Sequence, residues 1–288
     1  MSNCLFGFNN RIDAATLSGG SWIAGLPLTN LQDPIIGLMA QSTNALVTST
    51  KFAVDLGVTS KQARVVGFIG HNLSDDAKVR FRASETDPTM AVNVVYDSGW
   101  FDAWPQVYNP EDLDFEAENF WSGKWTTEQK MGLNFPIWRD AGYSVYGRYW
   151  LIEIDDTTNS DGYVRLGRPF LGEGWQPTIN MEYGASINIE DLSAADEAIS
   201  GTEFFDKRPK YRVARFTIAN LTEDEAFTSS FDMMRRVGTT EEVFFVFNPE
   251  DTKHALRRSW LGRLRTLSPI EAVNVDANTT VYEHKEKL

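Results

Sequence analysis

Between positions 65 and 88 the sequence VVGFIGHNLSDDAKVRFRASETDP brings His71, Asp75, Asp76, Arg80, Arg82 and Glu85 into one short span. Those residue types can supply a general base, a proton donor and cations that hold a developing anion. A general base needs a positioned partner, and a nucleophile needs a base within hydrogen-bond reach. The other histidines stand far down the chain, His254 beside a loop and His284 in a terminal strand. The sequence contains no G-x-S-x-G, H-E-x-x-H or G-x-x-x-x-G-K-[ST]. His71-Asn72-Leu73-Ser74 reads as a turn in which Asn72 and Ser74 bond local backbone. The expectation is therefore strand, loop, strand, and a protein that is not an enzyme.

Carboxylates recur in IDDTTNSDGY, where Asp155, Asp156, Asn159 and Asp161 crowd oxygen ligands as a calcium loop does. The EF-hand spacing and its closing bidentate glutamate are missing, so a polar turn ending in Asp-Gly is expected. No metal or cofactor is expected, and no catalytic residue. Six of the nine tryptophans, Trp100, Trp104, Trp121, Trp125, Trp138 and Trp150, fall close together among acids. Such a set pins an insertion to its own core, fills a subunit interface, or stacks on a glycan through a platform of Trp104, Trp121 and Trp125. Composition leaves all three open. Further on, Arg257, Arg258, Arg263 and Arg265 flank Trp260 in RRSWLGRLRTL. Residues 176–288 hold 14 basic and 19 acidic positions, so these arginines sit in an acidic region. Ion pairs with a neighbouring subunit are their expected use, with Trp260 in the same interface.

The elements that must position these residues are mostly strands. KFAVDLG (51–57) and AKVRFRAS (77–84) alternate apolar with polar positions, and ARVVGFIG (63–70) is an apolar run suited to a strand covered on both faces. NVVYDSGW (93–100), YGRYWLIEID (146–155) and GYVRLGRPFLG (162–172) add further strands between turn signals. Positions 101–145 lack a period and read as a long ordered insertion; within them, 108–130 carry six acids against two lysines. IEDLSAADEAISG, near 190, is small and polar and reads as a linker or long loop. Two domains are expected: a β-sandwich over 1–190, and a β-rich unit over 191–288. In the second unit PKYRVARFTIANL precedes one helix over about 223–237, with a Thr222/Glu225 capping box, a Gly238 cap, and Phe227, Phe231 and Met234 on its core face. EEVFFVFNPED, RRSWLGRLRTL and TTVYEHKEKL supply more strands, the last expected at a sheet edge.

Composition narrows the class. The formal charge of −13 argues against a general nucleic-acid binder. Cys4 is the only cysteine, which excludes an intrachain disulfide or a cysteine metal cluster and suits a reducing cytoplasm. No apolar run reaches the ~20 residues of a membrane helix, and the first residues lack the pattern of a secretory leader.

In order along the chain, KFAVDLG, VVGFIGHNLSDDAKVRFRAS and RYWLIEIDDTTNSDGYVRLGRPFLG resemble the discoidin-like (galactose-binding-like) jelly-roll domain in its bacteriophage-tail form. RPKYRVARFTIANLTEDEAFTSSFDMMRRVGTTEEVFFVFNPED resembles the C-terminal region of tail-tip and baseplate proteins of long-tailed phages, with distal tail proteins among them. The resemblance covers about 20–95 and 145–270. It implies a structural virion protein that is folded and assembled in the host cytoplasm and forms a homo-oligomeric ring around the tail axis. Tail tube and tail-tip proteins would be its neighbours. A carbohydrate-binding module contacting a host-surface glycan is the alternative, and a two-carboxylate glycoside hydrolase a third reading.

Overall fold

The computed structural model describes residues 2–57 and 61–288. Alternation sets the first sheet. In Lys78–Ser84 the side chains of Val79, Phe81 and Ala83 are buried while Lys78, Arg80 and Arg82 point outward. This strand pairs with Tyr149–Asp155, Phe81 opposite Ile152, in a six-stranded sheet with Thr16–Ser18, Phe52–Asp55, Val94–Asp97 and Phe101–Asp102. The apolar run expected to be covered twice is covered twice. In Lys61–His71, Val66 and Phe68 join Phe81, Trp150 and Ile152 in the core between the sheets. Val65 and Ile69, on the other face, pack with Phe170, Phe244 and Leu261.

Lys61–His71 belongs to a second, eleven-stranded sheet. Its main path runs Ser186–Asp191, Lys210–Leu221, Ala277–Glu286, Ser259–Leu267, Val243–Val246, Leu5–Phe8, Arg165–Trp175, Lys61–His71, Ile137–Gly147. The chain is mainly β and antiparallel, as expected. Its centre was not anticipated: Leu5–Phe8 lies between the two halves, Phe6 opposite Trp175 on one side and Phe245 on the other. All four of its residues are buried. Gly7 is required there, because a Cβ would stand 2.9 Å from the Phe170 ring and 3.1 Å from Val65 Cβ.

Several expected elements differ. The division at 190/191 falls inside the strand Ser186–Asp191, and one sheet carries strands from both sides of it. IEDLSAADEAISG is no linker: it ends that strand and begins a hairpin, Ala194–Glu197 with Glu203–Asp206. The insertion closes earlier than 145, because Ile137–Gly147 pairs with Lys61–His71 as a sheet edge. The strand in TTVYEHKEKL is interior, flanked by Lys210–Leu221 and Ser259–Leu267, and the edge on that side is Ser186–Asp191.

The helix begins as a π-helical turn, Glu225–Ser230, and continues as an α-helix, Phe231–Val237. Its core face is rotated by one residue, about 100°, from the expected one. Ala226, Ser230, Met233, Met234 and Val237 are buried, whereas Phe227 and Phe231 are half exposed. The sheet beneath already presents Phe216, Phe245 and Tyr282. Small residues let the helix approach that aromatic layer, and Ser230 Oγ shares a hydrogen bond of 2.5 Å with the Tyr282 hydroxyl. Only half of the capping box forms. The Glu225 N–H donates to Thr222 Oγ1, while the Glu225 carboxylate accepts from Trp175 Nε1 and from Thr178. Gly238 does take a positive φ, 53°.

Candidate binding surfaces

Among the described residues, each charged side chain of the opening stretch has a structural partner except Lys78 and Glu85. Asp75 pairs with Lys130 and Asp76 with Lys124, which ties the insertion to this loop. Arg80 pairs with Asp97 and Arg82 with Glu153. His71 packs against Phe68 and Trp104, and its Nδ1 accepts the Leu73 N–H at 3.3 Å. Desolvation pushes its pKa down to about 4. A neutral ring with no carboxylate beside it among the described residues is poorly placed for base catalysis. IDDTTNSDGY is likewise a turn: Asp156 is buried and accepts from Ser74 N–H and Oγ and from Asn159 Nδ2.

The tryptophans named as a platform do not form one. Trp104 and Trp125 are 8% and 3% exposed, and only Trp121, at 83%, stands in solvent. Trp104 Nε1 donates to the Leu73 carbonyl, and Trp125 sits edge-on to Phe135 with centroids 4.8 Å apart. They pin the insertion. Trp121 instead clusters with Phe115 and Phe120. A cleft of about 290 Å³ does open nearby, between Phe101, Trp138 and Arg139 on one wall and the 249–256 loop on the other. Arg139 stacks 3.6 Å over the Phe101 ring. Of the cleft's carboxylates, Asp140 is held by Arg64 and Asp251 by the amides of Lys253 and His254. Asp102 also lines the cleft, and its side chain has no hydrogen bond or ion pair among the described residues.

The arginines expected at an interface are occupied within the chain. Arg265 pairs with Glu190 and Glu283, Arg258 with Asp251, Arg263 donates to the Thr239 carbonyl, and Arg257 lies over the Trp125 ring. Trp260 is fully buried and presents no surface to a neighbour. Alternating charge in a strand signals one wet face; it does not say whose carboxylates the arginines meet.

The surface that sequence reading missed is apolar. On the edge strand Ser186–Asp191, Ile187 and Ile189 are exposed on one face. Beyond it the hairpin Ala194–Asp206 projects with Phe204 62%, Phe205 57% and Ile199 110% exposed. Adjacent residues of a strand point to opposite faces, so neither face of this arm is covered. Phe204 and Phe205 belong to none of the hydrophobic clusters. A second apolar surface, a groove of about 380 Å³, lies between the helix and the end of Ser259–Leu267, lined by Phe227, Phe231, Met234, Leu267, Pro269 and Ile270. The cue was present in the paired Phe204-Phe205 of a polar stretch.

No protein-family model matches this sequence, and no curated protein matches it. Among solved structures it is similar to a family 32 carbohydrate-binding module of Clostridium perfringens NanJ in complex with galactose, at 12% identity and TM-score 0.37, over 58% of this chain and 99% of that one. It is similar to CBM32-1 from a family 31 glycoside hydrolase of the same organism, at 9% identity and TM-score 0.37 with the same coverage. A fucolectin from striped bass serum (Morone saxatilis) shows 8% identity and TM-score 0.37 over 98% of this chain and 99% of that one. These likenesses are remote, and the functional reading rests on the chain's own geometry.

Proposed function

We propose that this chain is a non-catalytic assembly subunit that associates with copies of itself. On the sequence resemblance, the particle is the tail tip or baseplate of a long-tailed phage, where it forms a ring and meets tube and tip proteins. The observation that carries self-association is the arm. A two-stranded hairpin is marginally stable at best in water unless something packs on it, and Ala194–Asp206 exposes aromatic residues on both faces. Apolar surface of that kind, next to an unpaired sheet edge, marks a contact site. Analytical ultracentrifugation and negative-stain microscopy of the full chain test this. A discrete oligomer is expected, lost when 194–206 is replaced by a short Gly-Ser turn. A chain that stays monomeric at every concentration and forms no particle would overturn the reading.

The 290 Å³ cleft favours a second role, glycan binding. The Phe101 and Trp138 rings offer sugar C–H groups an apolar wall, and an unpaired carboxylate such as Asp102 accepts from hydroxyls. Titration against a panel of host-surface glycans, with Phe101→Ala and Asp102→Asn as controls, decides it. Binding that both substitutions abolish is expected; no binding, or binding that both variants retain, removes the cleft.

A further inference from the structure

We infer that the arm of one copy seats in the groove of the next, Phe205 entering between the helix and Leu267. The inference rests on the reading of this chain as a self-assembling subunit, and names the two surfaces that meet.

Both surfaces are apolar and both are uncovered in the single chain. Phe227 and Phe231 face outward because the helix buries Ala226, Ser230 and Met233 instead. Their rings stand 6.2 Å apart and, with Leu267, Pro269 and Ile270, leave about 380 Å³ unfilled. A cavity of about 150 Å³ already accepts benzene, so a phenylalanine ring fits with room for a neighbouring side chain. The rims are complementary in charge. Between 194 and 206 the arm carries Asp196, Glu197, Glu203 and Asp206 and no basic residue; Arg208 holds Asp206, and the other three have no ion pair among the described residues. At the groove, Arg235 is 62% exposed and binds Asp232 through Nε and Nη2, which leaves Nη1 for another carboxylate.

Arm and groove are different patches, so their union is heterologous. Such a contact closes into a ring when the rotation allows and runs on as a filament when it does not. A symmetric arm-to-arm contact would stop at a dimer. The two geometries respond differently to one charge placed in each patch.

Phe205→Glu disables the arm and leaves the groove; Phe231→Glu, with Phe227→Glu as an independent second variant, disables the groove and leaves the arm. All three residues are about half exposed, and circular dichroism melts confirm that each variant keeps its fold. In sedimentation velocity, wild type assembles and each variant alone is monomeric. Mixing the Phe205→Glu and Phe231→Glu chains gives a one-to-one dimer that grows no further, since only one productive contact can form. Phe231→Glu and Phe227→Glu assembling as wild type does, or a mixture that stays monomeric while wild type assembles, overturns the arm-and-groove contact and leaves self-association standing. A monomeric wild type overturns both.

Discussion

Arg212 and Glu286 face each other on neighbouring strands with 2% of each side chain exposed. Arg212 uses all five guanidinium N–H groups. Two go to the Glu286 carboxylate, two to the Leu256 and Arg257 carbonyls, and one to the Asn134 carbonyl. One side chain thus ties the last long strand, the 249–256 loop and the end of the aromatic insertion. A matching knot joins the halves elsewhere. Arg168 holds Glu242 and Asp13, and Glu242 also accepts from Asn10 and Lys287. Burial alone would raise the Glu242 pKa, but Arg168, Lys287 and Asn10 bring it below its ordinary value.

Removing one member of the first pair leaves a buried charge unanswered. Glu286→Gln should cost ~3–5 kcal/mol, and the double change Arg212→Met with Glu286→Leu should cost less than either single change. Urea unfolding measures both; a Glu286→Gln loss under ~1 kcal/mol would show the charge to be solvated.

His284 is fully buried, with Nε2 against the Val243 carbonyl and Nδ1 without a partner. Desolvation pushes its pKa from 6.5 down to about 3. The unfolded chain therefore takes up the proton first as pH falls. Stability contributed by the neutral ring is complete above the ordinary value and drains away between it and the folded one. Thermal melts of wild type should fall over that acid window, and His284→Gln, which keeps a donor for Val243, should fall less steeply. His71 is depressed in the same direction, so parallel curves would remove His284 as a source of the slope.

On the helix, burial and exposure separate neighbours. Met233→Ala should cost ~2–5 kcal/mol because Met233 is fully buried. Phe231→Ala should change the monomer by under ~1 kcal/mol. Chemical denaturation below the assembly concentration compares them, and equal losses would put Phe231 back in the core.

Gly7→Ala forces a methyl against Phe170, Phe244 and Val65. A loss of ~1–3 kcal/mol is expected from overpacking. Gly37→Ala, with nothing within 4 Å of the added carbon, is the control and should be neutral. A neutral Gly7→Ala would mean that the central strand can shift to make room.

Strand chemistry was legible where pattern and burial coincide. AKVRFRAS and the doubly covered VVGFI run stand as read, because period and partner faces are local properties. The helix was found but misphased, since Phe227 and Phe231 look like core until the aromatic layer beneath is known. LFGF is too short for any period to show, and its place between Val243–Val246 and Arg165–Trp175 depends on partners more than 150 residues away. The tryptophans and arginines crowd together in the sequence, yet Trp104, Trp125 and Trp260 face inward while Trp121 stands in solvent. Whether a cluster faces inward is decided by tertiary packing, which spacing does not encode.

The central position of Leu5–Phe8 also orders events on the ribosome. These residues emerge well before one of their two neighbours, Val243–Val246. A nascent sandwich that has already captured Leu5–Phe8 against Arg165–Trp175 carries a bare, apolar strand edge until the closing segment arrives. That interval favours slow, late completion of the sheet and exposes the growing chain to misplaced pairing with other nascent copies.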